Sequence, residues 1–372
     1  MDLTQPHSPG APEALEDPGW LLGDLLVLRR ELVFVRVTRA DYRRIDFLYP
    51  DRIARHEACS VPAEAAASWL RARSPSAASG WIFHHGYCCS TLLTRILDAL
   101  GGALVLREPW VLLKLSALRR DFVVVEEGGG PSLLHLALAL LRRTYSPAEV
   151  PLIKASSSCT DLLPEVLRMD GARAIFLYAP LRDHLCQVLK DPDRRRLLRQ
   201  RAAALRGAPE ELGGPGDIDC RDDAECAAYV WLVHMQRYAY TARLAGGEHL
   251  RALPADRLLE STEAAVWATA EHLGVSPLRR PWLEEACRAT LARDAKRPDV
   301  PFAAAARRQQ LAKVAGDHAA ELALAGAWID RVLERWPLPL MLPNPLLGPN
   351  TAPVNASVSP AAEPRRMPGG SS

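Results

Sequence analysis

Five short apolar runs, each followed by a stretch of helical periodicity, constrain this chain more than any other feature. They are Trp81 to His84, Ala103 to Leu106, Pro151 to Lys154, Ala174 to Tyr178 and His249 to Leu253. Short runs without strict alternation mark strands buried on both faces, and the helices between them supply the crossovers that parallel pairing requires. Helices are predicted at 90–100, 131–143, 160–168, 182–204, 222–244 and 262–273. The expected fold is α/β: a parallel sheet between two helical layers.

The flanks read differently. Residues 1–18 are rich in proline and glycine and are expected to be loose. Residues 19–79 form an expected N-terminal appendage, in which "LVFVRVTRADYRRIDFLYPDRI" alternates about Ala40-Asp41 and predicts a hairpin turning there. A helix at 62–73 and a Ser/Ala/Gly-rich stretch at 74–80 lead to the main domain, 80–336, which ends in helical segments at 281–292 and 303–335. Within it, 206–219 reads as a mobile surface loop, and 337–372 as a flexible proline-rich tail. No internal repeat is visible. A chain of 372 residues hides roughly three quarters of its extended surface, so its core needs neither disulfides nor a structural metal.

Charge and cysteine usage narrow the function classes. Forty-six basic against 44 acidic residues leave +2, too little for a global field toward nucleic acid, and no nucleic-acid partner is expected. The eight cysteines show no C-x-x-C pair and no scaffold-like spacing, which predicts a reducing, cytoplasmic setting. No signal peptide is read at the N-terminus. The most apolar run, Leu133 to Leu141, contains His135 and is too short to span a bilayer, so no membrane partner is expected. Nothing here fixes the oligomeric state.

The segment "WIFHHGYCCSTLLTRILDALG", 81–101, carries the most chemistry. A strand ends near His84, a loop begins at Gly86, and Ser90-Thr91 open a helix with the stripe Leu92, Leu93, Ile96, Leu97 and Leu100. Such a bend aims backbone N–H groups and the positive helix end at one point, where a phosphate or sulfate fits. The alternative is that Ser90 only caps the helix. The Gly-x4-Gly-Lys-Ser/Thr form of an ATP loop is absent, which argues against ordinary ATP hydrolysis.

At these residues the chain resembles the P-loop sulfotransferases of the P-loop NTPase superfamily, in particular bacterial sulfotransferase-like proteins. Their P-K-x-G-T-T-W/L loop holds the 5′-phosphosulfate of 3′-phosphoadenosine-5′-phosphosulfate (PAPS), and "GYCCSTLL", 86–93, stands in its place. The resemblance implies donor binding by Gly86, Tyr87, Cys88, Cys89, Ser90 and Thr91, with Tyr87 where many members have lysine. "IFLYAPLRDHLCQVLK", 175–190, is similar to the family's R-x-P-R-D-x-x-x-S segment, which grips the 3′-phosphate. Arg182 and Asp183 match; Ala179 and Gln187 depart from it. A third stretch, "HLRALPADRLLESTEAAVWATAEHLGVS" (249–276), is similar to the late strand and its following helix. The resemblance implies sulfuryl transfer from PAPS, with no obligatory metal, to a small-molecule or saccharide alcohol or amine.

Sulfuryl transfer asks a protein for positioning, electrostatic donors and a base for the acceptor. Glu108, just past the second strand in "LVLREPW", is the first candidate base, with Arg107 either tuning it or binding an anionic acceptor; a plain Arg107–Glu108 ion pair is the alternative. Lys154, one of only five lysines, ends a strand and could replace the missing loop cation. Ser156, Ser157 and Ser158 offer hydroxyl donors or a helix cap. His85, or its neighbour His84, is a candidate base or donor, a buried structural histidine being the alternative. Two further readings of the loop are weaker. A zinc site from His84, His85, Cys88 and Cys89 conflicts with the opposed directions of adjacent strand residues. Cys89 to Arg95 matches C-x5-R literally, but without glycines and with Arg95 inside a predicted helix. The basic run 191–201 lines a cleft or is a solvated helix face, and Trp231, His234, Tyr238 and Tyr240 carry acceptor specificity or pack the core. Two other function classes stay open: a nucleotide-binding or interaction protein that kept the fold without catalysis, and a P-loop kinase or hydrolase.

Overall fold

In the computed structural model all five apolar runs are strands of one sheet; the structure describes residues 11–53, 57–73, 78–120, 132–276, 279–292, 304–339 and 341–348. Strands β1 (Trp20–Leu26), β2 (Glu31–Arg36) and β3 (Ala58–Pro62) form an N-terminal antiparallel sheet. Strands β4 (Ser79–His84), β5 (Ala103–Arg107), β6 (Val150–Lys154), β7 (Ala172–Tyr178) and β8 (Leu250–Pro254) form the parallel sheet, ordered β5-β6-β4-β7-β8. The chain divides into two compact units. The first holds the described residues within 1–179, 234–306 and 341–351, and the second those within 180–233 and 307–340.

Both faces of the parallel sheet are covered. Ile82, Val105, Leu152, Ile175, Leu177 and Leu253 join one core with helices Ser90–Leu100, Ala255–Glu260, Thr262–His272 and Arg280–Leu291. On the other face, Trp81 stacks with Phe83 (6.3 Å), and Phe176 with Tyr238 (5.1 Å), as the two-residue side-chain period of a strand demands. Gly80 is a point of close approach: a Cβ there would lie 2.9 Å from Leu152 Cδ1 and 3.0 Å from Leu273 Cβ. Ser79 and Gly80, read from sequence as linker, therefore belong to β4; 74–77 lie outside the described residues.

The N-terminal hairpin exists, but its turn is not at Ala40-Asp41. The chain reverses at 27–30, through a 3-10 turn, Val27–Arg29, and a left-handed Arg30 (φ 51°). Leu28 is fully exposed there, so an apolar turn sequence hid the reversal. Ala40 and Asp41 instead sit in helix Arg39–Arg44, where Thr38 and Asp41 form a capping box. Residues 11–16, expected to be loose, are helical, while 1–10 lie outside the described residues. Arg143 fixes this helix: its guanidinium donates to the carbonyls of Ala14 (2.7 Å), Leu15 (3.1 Å) and Trp20 (2.5 Å). The stretch after the small helix reaches the parallel sheet, with Leu48 N–H donating to Arg107 O and Trp110 N–H to Leu48 O. Helix Trp110–Arg120, not predicted, follows.

Within the second unit, the predicted helix 182–204 is two helices, Leu181–Leu189 and Pro192–Ala204. Asp191 caps the second, and Pro192 opens it. The segment read as a mobile loop contains helix Ala208–Glu211 and is tied down by Trp328 Nε1 donating to Asp219 O (2.9 Å) and by Arg335 pairing with Asp217. Predicted helix 303–335 breaks at His318. Part of the stretch expected to be a tail, 341–348, lies along β8: Ala252 N–H donates to Asn344 O and Leu346 N–H to Ala252 O. No helix among the described residues is long and apolar enough to cross a membrane.

Candidate functional site

The carboxyl ends of β4, β5 and β6 lie side by side, where open parallel sheets place their ligands. Strand β4 runs into the loop 85–89, and helix Ser90–Leu100 follows at once. The loop is tightly wound: Gly86 (φ 97°), Tyr87 (φ 56°) and Cys89 (φ 68°) are all left-handed. Two non-glycine residues in that region store strain of a kind found at ligand clamps. Cys89 N-caps the helix without a side-chain bond, and Leu93 N–H to Cys89 O (3.1 Å) is the first α-type bond. The helix amides ahead of Leu93 thus have no acceptor within the helix. Ser90 and Thr91 are buried in the first turn.

Lys154, at the end of β6, reaches this turn. Its Nζ donates to Thr91 Oγ1 at 3.2 Å and to Glu108 Oε1 at 2.7 Å, and it lies over the Phe47 ring at 5.7 Å from the centroid. The register explains the reach, because Lys154 pairs with Ile82 of β4 on one side and Arg107 of β5 on the other. Glu108 is held by its backbone as well: its N–H donates to Lys154 O (2.8 Å), and it takes a left-handed φ of 50°. Burial alone would raise its pKa, but the Lys154 charge, the His84 contact and the Lys154 hydrogen bond outweigh it and hold the carboxyl well below the usual carboxylate range.

His84 closes the cluster. Its Nδ1 accepts the Gly86 N–H at 3.0 Å, so the neutral ring carries its proton on Nε2, and that nitrogen lies 3.7 Å from Glu108 Oε1. The structure therefore brings Thr91, Glu108 and Lys154 together, with His84 and Phe47 against them. His85 faces elsewhere: its Nε2 accepts the Ala179 N–H at 2.7 Å, and the residue is fully buried. Cys88 donates to Leu177 O at 3.3 Å, and burial pushes its thiol up to about 12. These divergent partners leave no zinc geometry at His84, His85, Cys88 and Cys89; among the described residues no group of three or more His, Cys, Asp or Glu is placed to hold a metal.

Arg107 does not serve Glu108 in either way the sequence offers. It points away, donating to Tyr42 O (2.7 Å) and Asp98 Oδ2 (2.5 Å). Arg95 is likewise engaged, making a two-pronged pair with Asp46 (3.2 and 2.9 Å), which disposes of the C-x5-R reading. The Ser158 carbonyl accepts from Ser116 Oγ, and Ser116 also donates to buried Asp161. Arg182 and Asp183 occupy the first turn of Leu181–Leu189, in the second unit, where Arg182 is exposed and Asp183 lies 3.9 Å from Arg307. His234 and Tyr238 are core residues: His234 Nδ1 meets Thr160 Oγ1 (2.7 Å), and Tyr238 donates to Pro343 O (2.7 Å). Sequence reading missed Phe47 entirely. A hydrophobic residue in an appendage gives no sign that it will cover a lysine 107 positions later.

No protein-family model matches the chain, and no curated protein does. Among solved structures, it is similar to a sulfotransferase domain from the curacin biosynthetic pathway. That alignment has 14% identity and a TM-score of 0.36, and covers 57% of this chain and 78% of the other.

Proposed function

We propose that the chain is a sulfotransferase-like enzyme that transfers a sulfuryl group from PAPS to an alcohol or amine acceptor. The observation that carries this reading is the position of Lys154, whose buried ammonium touches both the helix-opening Thr91 hydroxyl and the Glu108 carboxylate. An ammonium, a hydroxyl and helix N-terminal amides are a donor set that fits an oxyanion. The nucleotide supplies the activated sulfuryl group. Lys154, Thr91 and the 86–91 backbone hold the anionic end, the lysine taking the place of the cation that Tyr87 does not provide. Glu108 is the proton acceptor for the attacking group. With the Lys154 ammonium against it, and His84 beside it, the ionised carboxylate is a weak base; once an anion shares that ammonium, its proton affinity rises. His84, proton on Nε2, orients the carboxylate. His85 has no part in proton transfer, because its basic nitrogen is hydrogen-bonded to Ala179.

The Glu108–Lys154 pairing also favours a second reading, a nucleotide-binding protein without turnover, in which the pair is purely structural. Calorimetry with 3′-phosphoadenosine-5′-phosphate in the absence of metal, set against ATP with Mg²⁺, separates both readings from a P-loop kinase or hydrolase, and turnover separates them from each other. Metal-free binding of the bisphosphate is the expected result. Binding only of ATP with Mg²⁺, or of neither, refutes the proposal. Glu108→Gln is expected to keep binding and abolish transfer; a variant that still turns over removes Glu108 from the mechanism.

A further inference from the structure

All eight cysteines are free thiols, and two of them, both in the second unit, nearly touch. Cys220 Sγ and Cys226 Sγ lie 2.9 Å apart. A disulfide places its sulfurs at ~2.05 Å, so bond formation asks for less than about 1 Å of closure. The backbone on each side is already fixed. Asp222 Oδ1 accepts the N–H groups of Ala224 (2.9 Å) and Glu225 (2.8 Å), capping helix Asp223–Ala245, and Glu225 Oε2 accepts the Arg221 N–H at 2.8 Å. Upstream, Trp328 holds the Asp219 carbonyl. The two thiols are therefore held together by structure that does not depend on a bond between them.

The pair is also chemically asymmetric. Cys220 is half-buried between exposed Asp219 and Arg221, whereas Cys226 is 7% exposed. The Cys220 thiol hydrogen bond is the largest influence on Cys226 and lowers its pKa; burial opposes this, and the Arg199 charge supports it, against Asp222 and Asp223. The same contact shifts the Cys220 thiol up. Two thiols in contact, one more buried and the other more exposed, are the arrangement of a nucleophile with its resolving partner.

We propose that Cys220 and Cys226 form a reversible dithiol–disulfide couple that is oxidised by hydrogen peroxide. The Cys226 thiolate attacks one peroxide oxygen and the O–O bond breaks. The departing oxygen leaves as hydroxide, which takes up the proton that the Cys226 thiol released and becomes water, and Cys226 becomes the sulfenic acid. Cys220 sulfur then attacks Cys226 sulfur and the S–O bond breaks. A second water leaves with the Cys220 proton, so two thiols are oxidised and one peroxide is reduced to two waters. The product staples the end of the 206–219 segment to the start of helix Asp223–Ala245.

The test uses the full chain, treated with a small molar excess of peroxide and then alkylated. The expected outcome is a fall from eight titratable thiols to six, loss of the mass of two hydrogens, and full recovery with dithiothreitol. Trypsin cuts after Arg206, Arg221 and Arg237, so the disulfide links peptides 207–221 and 222–237, a product that no other cysteine pair yields. Cys220→Ser is expected to stop at a Cys226 sulfenic acid that dimedone captures, and Cys226→Ser to form no such linked pair. Eight surviving thiols, a disulfide mapped elsewhere, or unchanged disulfide formation in Cys220→Ser overturns the proposal.

Discussion

Replacing Lys154 with methionine removes the charge at the centre of the candidate site while keeping most of the side-chain volume. The consequence follows from the surroundings of Glu108. The lysine and glutamate side chains are 1% and 8% exposed and meet at 2.7 Å, so the variant strands a carboxylate almost out of reach of water. Breaking one side of a buried pair costs about 3–5 kcal/mol. His84 Nε2, 3.7 Å from Glu108, offsets part of that, and about 3 kcal/mol is expected at neutral pH. The double variant Lys154→Met/Glu108→Gln has no stranded charge, so it should recover most of the loss, with a coupling energy of at least ~2 kcal/mol. Urea midpoints at unchanged slope measure all four corners of the cycle. Acid supplies an independent check. The folded-state pKa of Glu108 lies below its ordinary value of 4.5, so the stabilisation is complete above that value and is lost as pH falls through the lower folded pKa. Without Lys154, burial is opposed only by the His84 contact and raises the carboxyl pKa relative to the parent, so acidification relieves the variant while it weakens the parent. The two stability curves should therefore converge below about pH 4.5. A coupling energy under ~0.5 kcal/mol, or curves that stay parallel, would refute the assignment of Lys154 and Glu108 as one interacting pair.

Two further variants test the scaffold. Arg143→Lys loses the planar fork that serves the Ala14, Leu15 and Trp20 carbonyls; it should destabilise by about 2–4 kcal/mol and admit proteases near residues 11–20, whereas wild-type resistance there would show the fork to be dispensable. Gly102→Ala places a Cβ 2.3 Å from Ser276 O at a φ of +72°; a loss of about 2 kcal/mol or more is expected in thermal unfolding, and a neutral result would mean that Ser276 yields freely.

The parallel sheet was legible because strands buried on both faces are continuously apolar, and each observed strand lies within two residues of its predicted bounds. The hairpin turn was not, since Leu26 to Arg30 contains no glycine, proline or asparagine and Arg30 alone adopts the left-handed state. Helix Trp110–Arg120 escaped for the opposite reason: "WVLLKLS" satisfies strand and helix periodicities equally over its short length. At the site, Glu108 and Lys154 could be named from sequence because both stand at strand ends, but their contact could not. It depends on β5 and β6 aligning Arg107 with Lys154, and a register is a tertiary fact. The same holds for the choice between His84 and His85. Adjacent in sequence, His84 ends β4 and His85 opens the loop, and the fold turns one toward Glu108 and the other toward the Ala179 amide.

The origin of the lysine has its own consequence for the proposed reaction. A cation carried inside a loop stands ready for any anion, whereas Lys154 comes from a neighbouring strand and is already neutralised by Glu108. An arriving anion must share the ammonium with that carboxylate, so its affinity and the proton affinity of Glu108 are thermodynamically linked. Each negative charge brought to Lys154 makes Glu108 more willing to take a proton, which is the change a general base needs. In the proposed reaction, the pairing that makes the site look structurally occupied would thus also keep Glu108 weakly basic until an anion is bound. Phe47 sharpens the effect: by lying over Lys154 it limits water's access to the ammonium, so the competition between the two anions is not screened away.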